Sequence, residues 1–184
     1  SSDVCSSDLF RSRKGNVPLL VNSAGCGAHL AHITPDARDL MAFVDDALSN
    51  RATTRDERIS GHVVMHDACH SRNLLASHVA SHRAVSRFVE VSVLPDDGLC
   101  CGAGGAYSLS HPHEAARLAV RKFDAVRSVL QTDTLCVSSA NPGCTGHLLA
   151  RRPQDLADLR ILHPIQIVAR GMGLLTSGLA ESSD

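Results

Sequence analysis

Short apolar runs alternate with amphipathic stretches along this chain, and several of the runs end in Gly- or Pro-rich turns that carry cysteine. Strands separated by helices imply an α/β fold with a parallel sheet, because parallel neighbours need a long crossover that is usually a helix. Pro18 to Asn22 reads as a strand ending in the turn Ser23-Ala24-Gly25-Cys26-Gly27, and Asp36 to Leu48 as an amphipathic helix carrying Leu40, Phe43, Val44 and Ala47. Ser49 to Ser60 is a polar linker. His62 to Met65 is the next strand and leads into His66-Asp67-Ala68-Cys69-His70. A helix then runs from Leu74 or Val79 to Phe88, and Val89 to Leu94 is a further strand. The long helix from about His113 to Leu130 is expected to set Ala116, Ala119, Val120, Phe123, Val126 and Leu130 on one face. Leu135 to Ser138 ends at Asn141-Pro142-Gly143-Cys144, Arg160 to Leu162 is a short strand, and Pro164 to Arg170 a closing helix. Sites in such folds lie at the carboxyl ends of the strands. Cys26, Cys69, Cys100 and Cys144 each follow a predicted strand, so all four are expected to meet on one edge of the sheet.

The densest cysteine site is Gly98-Leu99-Cys100-Cys101-Gly102-Ala103-Gly104-Gly105. Adjacent cysteines rarely bond to each other, because disulfide geometry wants separated Cα atoms. Two thiolates in a Gly-rich loop instead let backbone approach a bulky inorganic core. A secreted disulfide scaffold does not suit a chain of 184 residues with an ordinary core, so metal ligation in a reducing compartment is the better reading of the seven cysteines. Cys5 lies in a low-complexity Ser-Ser-Asp echo that reads as a non-native lead and is set aside. Cys136, inside Thr134-Leu135-Cys136-Val137, reads as a small buried hydrophobe.

Composition removes other classes. A net charge of -1, one Tyr, no Trp and four Phe leave neither a basic stripe nor stacking aromatics, so no nucleic-acid partner is expected. No apolar run reaches a bilayer span and no signal peptide is recognisable, which points to the cytoplasm with at most peripheral attachment at the inner face of the membrane. Gly102, Gly104 and Gly105 do not form a phosphate loop, since neither Gly-Lys-Ser/Thr nor Gly-x-Gly-x-x-Gly is present there.

A weak internal repeat links Gly25-Cys26-Gly27-Ala28-His29-Leu30 with Gly143-Cys144-Thr145-Gly146-His147-Leu148. It suggests two half-sites. The second has Cys69, Cys100 and Cys101 as partners, whereas the first would need partners before residue 1, so an N-terminal truncation is expected.

Cys69, Cys100-Cys101-Gly102 and Cys144 resemble the cysteine-rich "CCG" domain of the heterodisulfide reductase-like family, and in particular its glycolate oxidase (glycolate dehydrogenase) iron-sulfur branch. The resemblance extends over Ser23 to His29, Leu99 to Pro112, Asn141 to Cys144 and His163 to Val168. It implies a [4Fe-4S]-type cluster on Cys69, Cys100, Cys101 and Cys144, with Cys26 either a further ligand or an orphan. Where the family pattern ends in Cys-x-x-Cys, this chain has His29 and His147. His147 is read as a hydrogen-bond donor near the site ahead of a role as iron ligand.

The implied function is electron transfer without a catalytic residue. A flavin-containing subunit would oxidise a 2-hydroxy acid such as glycolate, and this iron-sulfur subunit would relay electrons toward quinone. Family members carry an N-terminal ferredoxin-like domain and two cysteine-rich halves. By that measure 1–16 is a non-native or disordered lead, 17–50 the end of a first half, 61–170 a complete second half and 171–184 a flexible tail. Two alternatives stand beside it, a catalytic cluster domain like that of heterodisulfide reductase and a zinc-stabilised structural module. Asp67 is expected to cap a helix or brace the Cys69 loop, and His66, His70, His111 and His113 are either donors around the site or ordinary surface residues.

Overall fold

The computed structural model describes residues 18–96 and 98–175. The lead at 1–16 with Cys5, and residues 176–184 of the expected tail, lie outside the described residues.

The chain begins with β1 (Leu19–Val21), α1 (Ala24–Ile33), β2 (Ala37–Asp39) and α2 (Leu40–Leu48). β1 and β2 form a small parallel pair with Leu19 opposite Ala37 and Val21 opposite Asp39. The main sheet follows. It contains β3 (His62–His66), β4 (Glu90–Val93), β5 (Thr134–Ser139) and β6 (Arg160–Leu162), all parallel in the order β4-β3-β5-β6. Between them run α3 (Cys69–Asn73), α4 (His78–Ser86), α5 (Tyr107–Ser110), α6 (Pro112–Val129) and α7 (Pro142–Ala150), and α8 (Pro164–Gly171) closes the unit. The expected parallel-sheet α/β fold is the one observed.

Helices cover both faces of the sheet, and alternation along its strands assigns each residue a side. Val64 and Val137 pack with Phe123, Val126 and Leu148 from α6 and α7. Val63, Met65 and Cys136 face the other way, into Met41, Val85, Phe88 and Ile167. β3 is buried along its whole length, which accounts for an unbroken His-Val-Val-Met-His run where a one-sided strand would alternate. Complete burial of Phe88 contributes roughly 1.5–3 kcal/mol. Cys136 is fully buried in β5, as expected. No described helix is long and apolar enough to cross a membrane.

Three local expectations are corrected. The helix expected from Asp36 starts at Leu40, because Ala37–Asp39 pairs with β1 and Asp39 Oδ1 then caps the helix, accepting the Met41 and Ala42 N–H groups at 2.9 and 3.1 Å. The turn expected at Ser23 to Gly27 is the start of helix α1, where a Cβ on Gly27 would stand 3.2 Å from Leu75 Cδ1, so its glycine reflects tight packing. The inner face of α6 is rotated from the expected one. Ala115, Ala119, Lys122, Phe123 and Val126 point inward while Val120 is 58% exposed, and the buried Lys122 ammonium meets Asp96 at 2.5 Å.

Candidate metal centre

The strand order reverses direction beside β3, since β4 lies on one side of it and β5 on the other. The crevice at the carboxyl ends of such strands is the natural binding position of an open α/β sheet. Three loops leave that edge. β3 leads through Asp67 and Ala68 into Cys69 at the start of α3, β4 leads into the Cys100-Cys101 loop, and β5 leads into Cys144 in the first turn of α7. The four thiols form a connected series in which Cys69 interacts with Cys100, Cys100 with Cys101, and Cys101 with Cys144.

Backbone chemistry explains how the middle loop reaches this place. Asp96 starts it, accepting the Gly98 N–H on Oδ1 at 3.1 Å and the Lys122 ammonium on Oδ2, so the loop is tied to α6 before the cysteines begin. Gly102 ends it with φ of +95°, where a Cβ would lie 2.5 Å from the Ala115 carbonyl oxygen and 3.1 Å from His147 Nε2. Only glycine suits that position. Three of the sulfurs have hydrogen-bond donors close by. Gly102 N–H donates to Cys100 Sγ at 3.4 Å, Asn141 Nδ2 donates to Cys144 Sγ at 3.1 Å, and His70 Nδ1 stands 3.5 Å from Cys69 Sγ.

Thiols gathered this closely compete for protons. The hydrogen bond with Cys101, followed by burial, pushes the Cys100 thiol up, and burial, followed by the charge of Cys100, raises Cys69. Cys101 is pulled down by its bond from Cys100, yet its bond to Cys144 and burial push it up to about 12. Cys144 is lowered, by the Cys101 bond first and, against burial, by Asn141 as well. The isolated Cys136 is pushed up to about 12 by burial, against the charge of Arg160. A set of this kind holds several thiolates at once only when cations compensate them.

The residues fit a polynuclear group. Among the described residues no group of three His, Cys, Asp or Glu is gathered tightly enough for a single metal ion. The donor set agrees with that, since three loops bring four soft thiol donors together and Cys144 feels Cys69 and Cys100 as well as Cys101. A single zinc needs four ligands at about 2.0–2.3 Å from one centre, whereas irons bridged by sulfide accept ligands that are spread out.

The other sequence candidates fall elsewhere. Cys26 is exposed in the first turn of α1 and stands outside the thiol series. His147 donates from Nε2 to the Ala115 carbonyl at 3.3 Å and helps wall the Gly102 turn. Asp67 braces the Cys69 loop, accepting from His82 Nε2 at 2.7 Å, and α3 has no side-chain cap. Burial opposes Asp67 ionisation, but the His82 hydrogen bond holds its carboxyl below the usual range. His111 stacks on Tyr107 at 4.8 Å and, like His113, is exposed. His66 is buried with Nδ1 3.0 Å from Ser139 Oγ and no partner for Nε2. Sequence reasoning assigned no role to Asn141 or Lys122. An Asn just before Pro-Gly-Cys reads as an ordinary helix cap, and a lysine amid apolar helix positions reads as solvated.

A parallel α/β unit with cysteines gathered at its strand ends defines a cysteine-rich class of domain. Residues 63–149 match the family model described as CCG, cysteine-rich domain, and this part of the chain belongs to that family. Relatives include a component of the dihydromethanophenazine:CoB–CoM heterodisulfide reductase of Methanosarcina acetivorans, 28% identical over 90% of this chain and 39% of its own length. The glycolate oxidase iron-sulfur subunit of Escherichia coli is 40% identical over 30% of this chain and 13% of its own length. Lactate utilization protein A of Oceanobacillus iheyensis is 24% identical over 71% of this chain and 52% of its own length. The chain thus spans between about an eighth and a half of these relatives.

Proposed function

We propose that this chain is the cysteine-rich part of an iron-sulfur electron-transfer protein, with Cys69, Cys100, Cys101 and Cys144 as ligands of a [4Fe-4S]-type cluster. The observation that carries the reading is the series of four thiols assembled from three strand-end loops, with N–H donors beside the sulfurs. Such a group supplies one-electron transfer. The protein's own part is to hold the sulfurs, partly shield them and set the potential through hydrogen bonds, burial and local charge. Cys101 and Cys144 are buried while Cys69 and Cys100 are partly exposed, so one side of the site faces outward for exchange with a partner.

Within that class we favour the iron-sulfur subunit of a flavin-linked 2-hydroxy-acid oxidase or dehydrogenase acting on a donor such as glycolate. It would receive electrons from a flavin-containing subunit and pass them toward quinone, on the cytoplasmic side of the cell membrane. Residues 61–170 then make up the second cysteine-rich domain and 17–50 the end of a first. The second reading is a cluster that itself reduces disulfides. The partly exposed Cys69 and Cys100 favour it, as does the similarity over most of the chain to a protein named as part of a heterodisulfide reductase.

Anaerobic reduction of the reconstituted protein, followed by reoxidation with a soluble quinone or a disulfide, separates the two. The relay reading expects reversible one-electron reduction and reoxidation by quinone with no release of thiol. Stoichiometric thiol release from the disulfide would establish the catalytic reading in its place.

A further inference from the structure

Asn141 occupies the N-cap position of α7, where asparagine normally turns its side chain onto the free N–H groups of the first turn. It makes no such bond. Its amide spans two structures. Nδ2 donates to Cys144 Sγ at 3.1 Å, while Oδ1 accepts the Ser23 hydroxyl at 3.1 Å and the Gly25 N–H at 3.5 Å from the start of α1. The same seam is held by the Ala24 N–H donating to the Ala140 carbonyl at 3.2 Å and by His163 Nε2 donating to the Asn22 carbonyl at 3.0 Å.

The polarity of the Asn141 amide follows from its neighbours. The Gly25 N–H can only donate, so an oxygen must face it, and the NH2 group is thereby turned to Cys144. A flipped amide would set NH2 against N–H and aim a carbonyl oxygen at the sulfur. The Ser23–Gly25 segment, acting through the Asn141 amide, therefore decides what the Cys144 sulfur sees.

We propose that Asn141 is a positioning residue through which the Ser23–Gly25 segment raises the reduction potential of the group bound at Cys69, Cys100, Cys101 and Cys144. This rests on the iron-sulfur reading above. An N–H aimed at a ligand sulfur favours the more negative, reduced state, so its loss lowers the potential. The effect of Ser23 passes through Asn141, and the two residues must act non-additively.

The test is an anaerobic redox titration of the reconstituted full chain, followed by electron paramagnetic resonance. It compares the wild type with Asn141→Leu, Asn141→Asp, Ser23→Ala and the Ser23→Ala/Asn141→Leu pair, with iron, sulfide and circular dichroism recorded for each. Asn141→Leu is expected to shift the reduction equilibrium by about tenfold toward the oxidised form, about 59 mV for one electron. Asn141→Asp keeps an oxygen toward Ser23 and Gly25 but loses the donor and adds negative charge, so it must move the same way and serves if the Leu variant does not fold. Ser23→Ala should shift the equilibrium less, by about threefold, and should add nothing in the Asn141→Leu background. Unchanged potentials in both Asn141 variants, or additive shifts in the pair, overturn the proposal while leaving the iron-sulfur reading intact. A wild type without iron and sulfide overturns both.

Discussion

The helix starts at Gly25–Leu30 and Gly143–Leu148 share Gly-Cys-x-x-His-Leu, and each follows a parallel strand. Their cysteines nevertheless differ. Cys144 is 3% exposed, hydrogen-bonded with Cys101 and held by the Asn141 amide, while Cys26 is exposed. His147 is spent on the Ala115 carbonyl, whereas His29 is exposed. The same local motif thus makes one built site and one open helix start. The difference is supplied by loops far away in sequence, above all the Cys100-Cys101 loop and its anchor through Asp96 to Lys122.

The sharpest way to break this comparison is to remove each cysteine in turn. Cys144→Ser should abolish the visible charge-transfer absorption of the reconstituted protein, and Cys26→Ser should leave it unchanged. Equal losses would mean that the two helix starts contribute alike. Next in size is the wall of the second site. Gly102→Ala places a Cβ 2.5 Å from the Ala115 carbonyl oxygen at a φ of +95°, and is expected to cost about 1–3 kcal/mol or more in urea unfolding and to reduce bound iron. An unaffected protein would show that the Gly102 turn relaxes freely.

Acid is expected to act through the end of β3. Burial first, and the Lys122 ammonium second, hold His66 down to about 4 from 6.5, while Asp96 and Asp67 pull the other way. Between those values the unfolded chain binds more protons than the folded one, so stability is full above about 6.5 and is lost as pH falls toward 4. Thermal unfolding across that window should show the loss, and His66→Asn should flatten it. A flat wild-type profile would contradict the burial of a neutral imidazole. The smallest effect concerns the paired histidines. His147→Ala should cost about 1 kcal/mol through its lost hydrogen bond, and His29→Ala less than about 0.5 kcal/mol.

Much of this arrangement was legible in the sequence. The runs at His62 and Leu135 are apolar enough to be buried strands, and cysteine after a strand in an α/β order implies a common edge. That logic brought Cys69, Cys100, Cys101 and Cys144 together, while Cys26 lies exposed at the start of α1, where the local pattern does not specify its partners. β2 escaped notice because Ala37-Arg38-Asp39 has no strand composition and exists only through pairing with β1. Lys122 and Asn141 escaped because each has an ordinary local use, on a solvated helix face or as a cap, and only tertiary contact diverts it. The inner face of α6 likewise includes Lys122, paired with Asp96, in place of Val120.

The most direct test of the central claim is iron, acid-labile sulfide and zinc per chain after anaerobic reconstitution, measured for the native protein and for a Cys100→Ser/Cys101→Ser variant. Iron and sulfide in matched amounts, present in the native protein and absent from the variant, are predicted. Zinc without sulfide, or iron and sulfide retained in the variant, would contradict the account.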